Sequence, residues 1–435
     1  MSIFLCLASL AVSLLGAPKE PISVKYFFTD EVAEIPCAAP DGEVACEMKT
    51  ITRDGWGPSE NGKMPVKDGK IKLKPLAEGI HIVSLKTEPA AELRFLAMAP
   101  PAKVDPDVIR RALPRSADKI LKGEPCKILS MGDSVTNTGD YENMLAMLLS
   151  RATGNKTISI VDKSYPGRSV DASVRNFQED AVAVKPDFAM IMYGLNDQAC
   201  GYPLDGYLEQ YEWLARHLAD ECGSDAVFLQ PTPHIDIPVK KEDSKTDSNP
   251  PEYAFRTIGF AESVSLLAAK LKIPCAETFS AVWGDGGATI EESAEKMWPL
   301  YPPSYSKQFD SMIETDGPST GSGQAKGDTI HPNALGHLMI AKAVYNSIAC
   351  RKVPELLEMK GASAWTDSGV ESTISITNKS GKAMVGKLAV YPRMECGPVK
   401  LHGSGEYKLK PGESAEFKLG WTEVLKPEDL LKYPA

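Results

Sequence analysis

Short apolar runs, broken at regular intervals by Gly, Pro and Asp, dominate the chain from residue 22 to about 100: Val24, Tyr26 and Phe27, then Ile71–Leu73, Ile80–Leu85 and Leu93–Phe95. The alternation predicts strands, and a small β-sandwich over residues 18–102 fits it, with His81 on the exposed face of its strand. Ala99-Pro-Pro-Ala102 reads as a linker. From 105 to 352 the period changes. Strands are predicted at 127–131, 157–161, 188–193, 226–229 and 273–276. Between them lie amphipathic helices marked by Val170, Val174, Phe177, Ala181 and Val184, and by Leu208, Tyr211, Leu214 and Leu218. Five strands with helical crossovers predict an α/β fold, a flavodoxin-like three-layer α/β/α sandwich. From 353 to 435 strict alternation returns, as in Ser372–Thr377, and predicts an immunoglobulin-like β-sandwich. Two stretches, 232–255 and 284–327, are too long and polar for simple connections and are candidate walls of a substrate cleft.

Composition narrows the classes. A chain of 435 residues with 43% apolar content supports two or three domains, and a net charge of −10 without clustered Lys and Arg argues against a nucleic-acid surface. Residues 1–17 form an uncharged apolar run ending in small residues before Pro18 and are expected to be a secretory signal peptide, which places the mature protein outside the cytoplasm, secreted or periplasmic. No other segment is apolar enough to cross a bilayer, so no stable membrane insertion is expected after cleavage. No Cys-x-x-Cys pair occurs, so neither zinc nor a redox dithiol is suggested, and no cofactor is called for. Cys37 and Cys46, flanking a Pro-Asp-Gly turn, are candidates for a disulfide.

The chemistry points to the end of the first α/β strand, Gly132-Asp133-Ser134, where open sheets place their ligands. A serine hydroxyl needs a base within hydrogen-bond reach and a carboxylate to orient that base. His331, in Asp328-Thr-Ile-His331-Pro-Asn before the last helix, is the histidine in a fitting context, with Asp328 three positions earlier. His337 lies about 240° around the helix from His331 and cannot share its face. His217 and His402 are expected at the surface, whereas His234, after Pro231-Thr-Pro233, is a candidate to line the cleft. Oxyanion donors are offered by the second strand end, Tyr165-Pro-Gly167, and by the third, Gly194-Leu-Asn196-Asp197.

Taken in order, Gly132-Asp133-Ser134, Gly167, Gly194-x-Asn196-Asp197 and Asp328-x-x-His331 resemble the four sequence blocks of the SGNH (GDSL-type) hydrolases. The resemblance covers residues 105–352. It implies Ser134 as nucleophile, His331 as general base, Asp328 as orienting acid, and an oxyanion hole from the Ser134 and Gly167 N–H groups and the Asn196 side chain. Asp133 and Asp197 are then structural. Arg168, beside Gly167, either pairs with Asp171 or binds substrate. The reading expected is a secreted serine esterase that removes a small acyl group, acetyl by preference, from a carbohydrate. A lipase-like esterase, an acyltransferase of the same fold and a non-catalytic glycan-binding protein are the alternatives.

Overall fold

The computed structural model describes residues 25–37, 39–73, 77–88, 90–234, 253–284, 297–301, 330–350, 357–366, 369–388, 399–403 and 405–423. The N-terminal strands are β1 (Lys25–Phe28), β2 (Ala33–Pro36), β3 (Gly42–Thr52), β4 (Gly55–Trp56), β5 (Glu60–Lys67), β6 (Lys70–Leu73), β7 (Gly79–Leu85) and β8 (Ala91–Met98). They make one hydrogen-bonded sheet in the order β1-β8-β7-β3-β5-β6-β2, with β4 paired to β3, where two packed sheets were expected. Strand β3 pairs with β5 through Gly42–Met48 on one side and with β7 through Cys46–Ile51 on the other, so the path is unbroken. The sheet is rolled, because Ala33 and Ile35 of β2 share an apolar cluster with Val83, Leu85 and Phe95 from the far side of the path.

Both faces of β7 are therefore covered, and His81, expected at the surface, is buried instead. Its ring stacks on Phe95 and bonds the Thr50 hydroxyl and the Ala77 carbonyl. Cys37 and Cys46 are free thiols rather than a disulfide, since Cys37 follows β2, which lies three strands from β3 in the sheet order.

The central unit contains β9 (Cys126–Gly132), β10 (Ile158–Asp162), β11 (Phe188–Met192), β12 (Asp225–Leu229) and β13 (Cys275–Ala276), all parallel, in the order β10-β9-β11-β12-β13. This is the flavodoxin-like order, with the chain reversing direction across β9. The described helices are α1 (Pro106–Ala112), α2 (Ala117–Lys122), α3 (Ser134–Thr138), α4 (Tyr141–Thr153), α5 (Val170–Arg175), α6 (Leu195–Ala199), α7 (Leu204–Glu221), α8 (Tyr253–Leu271), α9 (Thr278–Trp283) and α10 (Ala334–Ala349). Successive strand residues point to opposite faces. Ile128, Met190 and Val227 pack with α4 and α10, whereas Leu129, Ile191 and Phe228 pack with α5, α7 and α8, giving the three layers.

The C-terminal strands β14 (Leu357–Thr366), β15 (Gly369–Asn378), β16 (Met384–Leu388), β17 (Val399–His402), β18 (Gly405–Leu409) and β19 (Ser414–Glu423) form a four-stranded antiparallel sheet, β14-β15-β19-β17, and a β16-β18 pair. Among the described residues no helix is long and apolar enough to cross a membrane. Residues 1–17, and most of the two stretches proposed as cleft walls, lie outside the described residues.

Candidate active site

Strand β9 ends at Gly132, where an added Cβ would sit 2.1 Å from the Thr136 hydroxyl and 3.1 Å from the Met192 carbonyl, so only glycine lets the chain turn so close to β11. Asp133 then caps α3, its carboxylate accepting the Val135 N–H at 3.0 Å. The cap engages Val135 and leaves the Ser134 N–H, first in the helix, without an intrahelical acceptor. Burial pushes the Asp133 carboxyl up to about 7, offset in part by the Val135 N–H and by nearby His331.

His331 arrives from the other end of the unit, two residues before Asn333, which caps α10 by accepting from the Leu335 and Gly336 N–H groups. Asn333 is itself held: its side-chain amide donates to the Pro299 carbonyl at 2.9 Å and its N–H to Leu300 at 2.7 Å. This fixes a buried imidazole whose Nε2 lies 2.8 Å from Ser134 Oγ. For Nε2 to accept the hydroxyl proton, Nδ1 must carry the ring hydrogen, the tautomer a carboxylate on the far side would select. Asp328 lies outside the described residues.

The second and third strand ends close over the same place. After β10, the Tyr165 N–H donates to the Gly132 carbonyl at 3.1 Å, and the Arg168 N–H returns to the Tyr165 carbonyl to make a tight turn. Gly167 sits in that turn at φ 75°, the left-handed region a side chain would disfavour. Asn137 of α3 donates its side-chain amide to the Ser164 carbonyl at 3.1 Å, tying the helix that begins at Ser134 to the same loop. After β11, Asn196 donates one amide hydrogen to the Arg168 carbonyl at 3.1 Å, which leaves the other free for a ligand oxygen. Asp197, buried and pushed up to about 6 by desolvation, accepts the Val170 N–H at 2.9 Å and locks α5 to α6.

Thus Ser134 and His331 meet directly, Gly167 lies in the turn bonded to that strand end, and Asn196, in α6, is bonded to the same turn through Arg168. Arg168 does not make the pairing with Asp171 that one reading of it expected. Its side chain is buried and pairs with Asp180, at 2.8 Å, rather than with Asp171, which pairs with Arg175. The guanidinium also donates to the Lys163 and Ala172 carbonyls, so it braces the Gly167 turn from behind. His234 follows β12 and is buried, 3% exposed. Sequence reasoning missed Asn137 and Asp180, which carry no local pattern of their own, and the role of Asn333, whose place just before the apolar run of α10 is an N-cap signal that could have found it.

Residues 130–339 match the GDSL-like Lipase/Acylhydrolase family. The matched stretch runs through most of the α/β unit, from β9 into α10. A curated relative, an acetylxylan esterase from Geobacillus stearothermophilus, is 22% identical over 245 residues, 53% of this chain and 96% of that protein. A solved structure of an acetylxylan esterase from the same organism is 19% identical, spans 53% of this chain and 97% of its own, and superposes with a TM-score of 0.37. A catalytic mutant of that esterase gives 20% identity, 52% and 95% coverage, and a TM-score of 0.37.

Proposed function

We propose that this GDSL-family protein is a serine esterase that removes O-acetyl groups from a carbohydrate, with Ser134, His331 and Asp328 as its triad. The observation that carries the reading is the 2.8 Å contact between His331 Nε2 and Ser134 Oγ at the carboxyl end of β9. His331 takes the hydroxyl proton as Oγ forms a bond to the acetyl carbonyl carbon, and the carbonyl electrons move onto oxygen. The Ser134 and Gly167 N–H groups and the free Asn196 amide hydrogen receive that oxyanion. Collapse breaks the bond to the sugar oxygen, which leaves with the proton from His331. Water then attacks the acetyl-serine with His331 as base, giving acetate and the free hydroxyl. The acetylxylan esterase relative supports an acetylated sugar as substrate.

The apolar leader, residues 1–17, supports export, which suits a polymeric substrate too large to enter a cell. Acetate release from acetylated xylan tests the activity. The expected result is turnover abolished in Ser134→Ala, and a wild-type protein that releases none refutes the substrate. N-terminal sequencing of exported protein is expected to read from near Pro18.

A further inference from the structure

Tyr165 stands two residues before Gly167 and is 45% exposed, whereas Tyr193, which follows β11, and Tyr207 and Tyr211 of α7 are fully buried. Packing does not account for a ring left half in water at this place. Its backbone is held at both ends, by the N–H bond to Gly132 and by the carbonyl bond from Arg168. One face of the ring is backed by the Arg168 guanidinium, 4.5 Å from the centroid, and that guanidinium is immobilised by Asp180. The ring is therefore fixed before any ligand arrives, so little ordering cost remains for binding. Its other face is a flat apolar surface with a hydroxyl at the edge, on the loop bonded to the nucleophile's strand end.

We propose that Tyr165 is a stacking platform for a pyranose ring of the substrate, held by the Arg168–Asp180 pair. This rests on the carbohydrate-esterase reading above. A pyranose presents one face of C–H groups with its hydroxyls around the rim. Laid on the tyrosine it loses apolar contact with water while the rim stays solvated. The stack would place a backbone sugar so that a pendant acetyl reaches Ser134, and would discriminate carbohydrate esters from small aryl esters that need no second contact.

Two measurements test it. In the Ser134→Ala background, calorimetric titration with xylohexaose is expected to give a Kd about tenfold weaker for Tyr165→Ala, with Tyr165→Phe and Tyr165→Trp close to the parent, since either ring supplies the face. In the active protein, the ratio of kcat/KM on acetylated xylohexaose to kcat/KM on p-nitrophenyl acetate is expected to fall about tenfold for Tyr165→Ala, through KM. Xylohexaose binding that is absent, or indifferent to Tyr165→Ala, overturns the platform, as does an unchanged ratio. Tyr165-dependent binding in a protein that releases no acetate from carbohydrate overturns the esterase reading and sustains the platform.

Discussion

Ser134 and His331 share one proton path, so truncating either is expected to remove the same activity, on the order of 10⁶-fold in kcat. Steady-state kinetics on p-nitrophenyl acetate with Ser134→Ala and His331→Ala measures this, and a variant keeping a tenth of the rate would sink the assignment. Asn196→Ala deletes one of the three proposed oxyanion donors and is expected to cost roughly 10² to 10³-fold. Arg168→Ala acts by another route. It leaves the buried Asp180 carboxylate with only Lys163, at 3.9 Å, as counter-charge, at a stability cost of up to about 3 kcal/mol, and loosens the turn that carries Gly167. Losses on aryl and carbohydrate esters are then expected together, with a lower Tm. Asp133 gives a pH signature. Its folded pKa, about 7, lies above its ordinary 3.8, so its contribution to stability is fully present below about pH 4 and is lost as pH rises through 7. Asp133→Asn keeps an acceptor for Val135 and cannot ionise. Relative to wild type it is expected to gain up to about 4 kcal/mol in stability between pH 4 and pH 8. Urea unfolding at the two pH values measures the gain, and an equal difference at both refutes it.

At the scale of elements, the cap of α10 is what delivers the base. Asn333→Ala removes the one oxygen that accepts both the Leu335 and Gly336 N–H groups, and the bond to Pro299, so a loss of about 1–2 kcal/mol is expected. Because His331 is two residues away, kcat should fall with it, which thermal unfolding and kinetics on the same variant will show. The five parallel strands and the glycines and asparagine at their ends were legible because each is a local pattern: an apolar run, then a residue whose backbone or amide the turn requires. What was not legible depends on elements distant in sequence. His81 alternates like a surface residue, and only the rolling of the sheet covers it. The helix expected across 170–184 is broken at Asn176, whose side chain bonds the Ala172 carbonyl, and a π-turn follows that brings Asp180 rather than Asp171 to Arg168. Spacing along one helix favoured Asp171, but the packing of a second turn decided the partner.

Across the molecule, the N-terminal sheet is continuous with the catalytic unit. Ile80, Ile82, Leu96 and Met98 join the cluster that contains Leu338, Val344 and Leu145, and Lys342 meets Glu78 while Arg151 reaches Asp30 and Glu31. Tyr26 donates to Asp140, just before α4. Removing residues 1–99 would expose that apolar face, so the truncated protein is expected to aggregate or to lose several degrees of Tm, and calorimetry of the full chain should show the sheet and the α/β unit melting in one transition. The pairing of Ser134 with His331 spans 197 positions and has a further consequence. On the ribosome Ser134 and the Gly167 and Asn196 segments are complete long before His331 exists, so on the proposed mechanism the nascent chain carries an inert serine until α10 is made and docks. Closing so large a loop is slow compared with helix formation. Recovered ester hydrolysis after dilution from denaturant thus serves as a stopwatch for the last long-range closure, and should trail the return of helical circular dichroism.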